Sequence, residues 1–212
     1  MSSEWQESFG DRLIGVIRLN RPIYEAIKRD PRATTQALLI VLFLGLATGI
    51  ALTTTSFPID SSGMDAETAA VVNEMAQAFT FQTNGQKVVA LVASVITSLI
   101  GWYITSWLLI FVGNRMSRQL GDRTTSEQMR RLVGWGYAPQ LASFLAPIPL
   151  VGPLLAFVGG IWAFVTGVMA VRTAFNVSIG RAIAIEILAF LVYLFAIFVV
   201  VILVALVFVA FA

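Results

Sequence analysis

The chain has 212 residues, 58% of them hydrophobic and only 12% charged, with a mean hydropathy of +0.83. It holds no cysteine and no histidine, which excludes disulfides, thiol chemistry, imidazole acid–base catalysis and the common zinc sites. The net charge of +2 is small, no basic patch interleaves with aromatics as nucleic-acid binding needs, and the long uncharged runs belong to an integral membrane protein.

The first thirty-odd residues carry charges throughout and lack the apolar core of a secretory signal. They read as two short amphipathic helices. Trp5, Phe9, Leu13 and Val16/Ile17 recur at helical spacing, with Arg12 and Arg18 between them. Asn20 is placed to cap the second helix, Pro22 follows it, and Ile23, Tyr24 and Ile27 form its apolar side up to Pro31. Two placements fit this pattern: along the headgroup plane, or against the membrane domain itself. Residues 1–32 are thus read as a cytoplasmic amphipathic segment and 33–212 as the membrane domain.

A first crossing is expected over 33–56, followed by a polar segment to Gln86. That segment includes an amphipathic helix from about Met64 to Phe79, with Val72, Met75 and Phe79 on one face and a turn at Asn84-Gly85. The second crossing, 87–112, carries Trp102, Tyr103 and Trp107, residue types typical of interface belts. A basic loop over 113–131 follows. Leu132 to Val171 then contains no charge and is about twice as long as one crossing needs. Pro147, Pro149, Gly152 and Pro153 divide it into a helical hairpin with arms 132–147 and 152–171, the first kinked by Pro139. A re-entrant hairpin buried in protein is the alternative. The last crossing is 182–208. The expected fold is all-α, with five transmembrane helices. Thirteen of the fourteen Lys and Arg fall before the first crossing, in 113–131 and at Arg172 and Arg181; 57–86 and the hairpin turn have none, though Lys87 borders the former. The positive-inside rule then puts the N-terminus inside and the C-terminus outside.

With these pieces in place the sequence resembles the Yip family of five-span membrane proteins, especially its small bacterial members. The resemblance lies in RPIYEAIKRDP before the first crossing, GYAPQL opening the third, and GGIWAFVTGVMAVRTAFNVSIGRA from the fourth into the fifth. It implies a cytoplasmic N-terminus, no enzymatic activity, and a role as a membrane adaptor or organiser. The long cytosolic N-terminal region and the Asp-Leu-Tyr-Gly-Pro-type motif of eukaryotic members are not matched, so a Rab-type partner is not expected. The bacterial cytoplasmic membrane is the expected location.

Two sets of candidate site residues emerge. Arg115, Arg118, Arg123, Arg130, Arg131, Arg172 and Arg181 are topogenic and suited to anionic headgroups or a protein partner on the cytoplasmic face. Tyr137, Pro139, Gln140 and Glu186 form a candidate intramembrane polar site. A carboxylate in a span is a functional hypothesis by default, and Glu186 is also placed to pair with Arg172 or Arg181. Small residues, Ser94, Ser98 and Gly101, then Gly152, Ala156, Gly160, Ala163 and Gly167, suit close helix packing or self-association. No nucleophile elbow, phosphate loop, dinucleotide fingerprint or metal cluster occurs. The reading is a non-enzymatic scaffold or lipid organiser without cofactor or metal. Its partners are membrane lipids, with a cytoplasmic-face protein or a further copy of the chain as candidates. The alternative is a small channel or transporter, homo-oligomeric in one version, with its pathway at Tyr137, Gln140 and Glu186.

Overall fold

The computed structural model describes residues 7–54, 63–78, 81, 83–117, 124–145, 147–148 and 150–211; side chains are described for these except 75–78, 200–201 and 203–211. Trp5, Pro58, Phe79, Arg118, Arg123 and Pro149 lie outside the described residues, as does the Met75 side chain. Every regular element among the described residues is helical, and four helices are long and apolar enough to cross a membrane.

Helix α1 (Phe9–Ile17) starts in a capping box. Ser8 accepts from the Asp11 N–H, and the Asp11 carboxylate accepts from the Ser8 N–H. A tight turn through Leu19, at a φ of 58°, leads into α2 (Arg21–Arg29). Asn20 stands at the N-cap position as expected, but its side chain makes no capping bond there; its carbonyl accepts from Ile23 and Tyr24 N–H instead. Helix α3 (Ala33–Thr54) follows after Asp30, whose side chain accepts from the Arg32 N–H.

Helix α4 (Ala66–Ala78) precedes α5 (Asn84–Met116). The expected Asn84-Gly85 turn is the first turn of α5, because a Thr83/Gln86 capping box starts the helix there. At 1.5 Å per residue α5 is about 50 Å long and overruns a ~30 Å hydrocarbon core. Its last turn takes up the beginning of the expected 113–131 loop. The end of that loop is helical too, since a Thr125/Gln128 box starts α6 (Ser126–Gly136).

The expected 132–147 crossing is not one continuous helix. α6 stops at Gly136 and a 3-10 helix, Ala138–Leu145, continues the chain. Pro139 has no N–H to donate into an α-helical ladder and crowds the preceding turn, and the narrower 3-10 winding accommodates it. Helix α7 (Val151–Phe175) returns from the hairpin turn and ends at Asn176 in the left-handed region. Helix α8 (Ile179–Phe211) is the most apolar element.

The elements close a ring. α5 packs on α3 and α8, α8 on α7, α7 on both α6 and the 3-10 helix, and these return to α3. Small residues set the α3–α5 crossing: a Cβ on Gly45 would lie 2.7 Å from Val95 Cα, and Ser94 Oγ donates to the Gly45 carbonyl at 2.8 Å. The largest buried side chains, including Tyr24, Ile27, Met129, Leu132, Trp135 and Phe175, gather where α1, α2 and α6 meet the charged ends of the long helices. Under the positive-inside expectation this charged end is the inner end. Towards the hairpin turn the long helices expose large apolar side chains, such as Phe157 and Phe195 at about two-thirds of full exposure.

Candidate functional site

The break after α6 shapes the centre of the ring. In the inner half α6 touches α3, α5 and α7 and fills the middle. Beyond Tyr137 the 3-10 helix packs on α3 and α7, held by the close approach of the Pro139 carbonyl to Gly159. A cavity of about 500 Å³ opens beside it. Gly101 and Gly160 line it, and a Cβ on either would meet nothing within 4 Å.

Tyr137, Gln140 and Glu186 all line this cavity. Pro139 does not; it is buried beneath, against α7. Sequence reasoning missed Thr48, Thr105 and Tyr193, which also line it. The available signal for Tyr193 was its seven-residue spacing from Glu186, which returns to the same helix face. The Glu186 carboxylate lies over Gly167, where a Cβ would come within 2.6 Å of Oε1. Its Oε2 is buried without a hydrogen-bond partner. The ion pair with Arg172 or Arg181 is not formed: Glu186 takes part in no salt bridge among the described residues, and Arg181 is exposed. The five-residue offset from Arg181 puts the two on different helix faces. A smaller cavity, about 80 Å³, shares Glu186 and Thr105 with the first and is also lined by Leu108 and Ala189. No group of acidic side chains suited to a metal occurs among the described residues.

The basic residues divide into two kinds. Arg115 and Arg181 are exposed at the inner end, Arg115 over the Phe111 ring at 3.9 Å. Arg130, half-buried, reaches the Tyr103 ring at 5.2 Å, and Arg172 is half-buried as well. Arg131 is turned inwards rather than towards lipid or a partner. It is 7% exposed, donates to Thr34 Oγ1 at 2.7 Å and the Lys28 carbonyl at 3.2 Å, and pairs with Glu127. A buried guanidinium needs such partners, so Arg131 joins α6 to α2 and α3.

A second buried arginine latches the N-terminal helices. Arg12, also 7% exposed, donates to Asp30 Oδ2 at 2.6 Å and Gln36 Oε1 at 2.8 Å. Partial burial pushes the Asp30 carboxyl up, but hydrogen bonds from Arg12 and the Arg32 N–H and the charges of both arginines outweigh it, holding the carboxyl below its usual value. Tyr24, fully buried, donates to the Val16 carbonyl, and burial pushes its phenol up. Lys28 donates to the Thr173 and Ala174 carbonyls at the end of α7, and Trp162 Nε1 donates to the Ile17 carbonyl at 2.8 Å. The Phe9 ring meets Trp135 at 5.1 Å. Held this way, α1 leaves Phe9, Ile14 and Ile17 exposed by 40%, 51% and 39%.

With every regular element among the described residues helical, and four helices long and apolar enough to cross a membrane, the chain has the make-up of an integral membrane protein. The Yip1 domain matches it over residues 14–212, nearly the whole chain, and the protein belongs to that family. Comparison with curated proteins and with solved structures gives no match.

Proposed function

We propose that the protein is a non-enzymatic membrane organiser that crosses the bilayer five times, with its N-terminus on the cytoplasmic side. It would use α1 as a fixed lipid-facing element in the inner leaflet. The third crossing is α6 continued by the 3-10 helix. Its uncharged part, five α residues from Leu132 to Gly136 and the eight 3-10 residues Ala138–Leu145, reaches about 24 Å, a short crossing against a ~30 Å core, which the polar first turns of α6 extend into the interface. The inner end then faces the cytoplasm of a bacterial cell, in line with the positive-inside rule.

The observation that carries this reading is the orientation of α1. Its buried side holds Arg12, Gly15 and Val16, so Phe9, Ile14 and Ile17 face outwards by architecture. Asp11 and Arg18 are exposed on the remaining side. The helix touches Trp135 and Trp162. Trp162 stands ten residues beyond Arg172, about 15 Å along α7. That contact lies between the charged ends and the uncharged hairpin turn, somewhat deeper than the roughly 5–10 Å usual for an interfacial helix. Exposed Arg18, Arg115 and Arg181 then suit anionic headgroups, each contributing on the order of 1 kcal/mol.

Extraction within a patch of native lipid, followed by lipid mass spectrometry, tests the proposal. Wild type should retain anionic phospholipid above the bulk proportion. A triple variant, Ile14→Gln with Arg115→Gln and Arg181→Gln, should return it to bulk. Bulk composition around the wild type would refute the reading.

A further inference from the structure

The cavity between α3, α5, α7, α8 and the 3-10 helix is independent of the α1 surface, and its chemistry is specific. From these residues we infer that it is a binding site for an ammonium group carried on an apolar body, with the Glu186 carboxylate as counter-ion. Four features lead to this class of ligand.

Size is the first. About 500 Å³ suits an organic ligand, not a bare metal ion, which needs several oxygen atoms in contact. Charge is the second. Glu186 is the one ionisable acid or base of full charge in the lining, which contains no Lys or Arg, so an anion would be repelled. The third is the surrounding ring surface: Tyr137, Phe164, Phe190, Tyr193 and Trp102 supply aromatic faces, and a desolvated cation is attracted to such faces. The fourth is the orphaned Glu186 Oε2. A buried carboxyl is either protonated or paired, and an ammonium that pairs with its ionised form brings both the opposite charge and, where it has N–H, the missing donor.

The site also has an approach. Thr48 and Ser98 line this cavity and a second one of about 720 Å³, which reaches Gln86 in the first turn of α5. The approach assigned here is along this side of α3 and α5, from the end opposite to the arginines. Two sources of such a ligand share the chemistry: the amine headgroup of a phospholipid, and a free amphiphilic amine.

The test uses the full chain in nanodiscs of phosphatidylglycerol, titrated by calorimetry with phenyltrimethylammonium and with its neutral isostere tert-butylbenzene. Saturable binding of the cation is expected, at least about tenfold tighter than the isostere. Glu186→Gln should weaken the cation by about tenfold or more and leave the isostere unchanged. Gly167→Ala is the second variant. Its Cβ would stand 2.6 Å from Oε1, the mobile end of the Glu186 side chain, so it displaces the carboxylate without removing it. It should weaken the cation too, while the unfolding midpoint stays near wild type. Repeating the titration with phosphatidylethanolamine in the disc separates the sources. Weaker apparent binding there identifies the lipid amine as the occupant, and unchanged binding identifies a free amine. Equal affinity for cation and isostere, no saturable cation binding, or wild-type binding in both variants would overturn the assignment.

Discussion

Arg12 and Arg131 illustrate how charge is used in this molecule. Both guanidinium groups are almost fully covered, and both join separate elements through named acceptors. Hydrogen bonds to charged groups contribute about 1.5–3 kcal/mol each. Arg12→Leu should therefore loosen α1 by about 2 kcal/mol, read as faster amide exchange over 9–17 with little change elsewhere. The same tie should be acid-sensitive. The folded Asp30 carboxyl lies below its unfolded value of about 4. Its contribution is therefore complete above that value and is lost as pH falls through the lower folded one. Exchange protection of α1 should hold from pH 7 to 5 and decline below about pH 4; Asp30→Asn should lessen that decline, the remainder coming from the Asp11 cap.

Among the elements, glycines divide by what stands opposite them. Gly45 faces the α5 backbone at Val95 Cα, which has no room to yield, whereas Gly101 faces the open cavity. Gly45→Ala should cost about 1–3 kcal/mol through overpacking. Gly101→Ala should be neutral or stabilising by up to about 1 kcal/mol through helix propensity. Unfolding midpoints in one detergent compare them directly. The long helices were legible in the sequence because apolar length alone defines them, and Pro139 announced a kink in the expected third crossing. The nature of that kink was not legible, since proline marks a lost hydrogen bond and leaves the next winding open. The helical start at Asn84 and the helical end of 113–131 were both missed, although Thr83-Asn84-Gly85-Gln86 and Thr125-Ser126-Glu127-Gln128 carry the capping-box spacing. Of the candidate cavity, Tyr137 and Gln140 stood out as polar groups in an uncharged run, and Glu186 as a carboxylate within a crossing. Thr48 and Thr105 did not, because a threonine in a span reads equally as a residue bonded to its own helix. The inward turn of Arg131 depends on Thr34 and Lys28, far away in sequence, and no local pattern announces it.

For the molecule as a whole, the inner end is a compact cluster of short helices and the rest is a ring of long ones around a cavity. The chain contains no cysteine, so single cysteines can report position without background. With five crossings, Gly85→Cys and Ile148→Cys should react with an impermeant maleimide from outside the cell, and Ser178→Cys only after permeabilisation. Labelling of Ile148→Cys from the inside alone would mean a re-entrant hairpin. The proposed role rests most directly on the environment of α1. Spin labels at Ile14→Cys and Ile17→Cys, in the full chain in bilayers, measure it by power saturation. Relaxation by dissolved oxygen should exceed that by a water-soluble nickel chelate at both positions, with the reverse at Asp11→Cys and Arg18→Cys. Chelate access at Ile14 equal to that at Asp11 would place α1 in water and contradict the lipid-facing role.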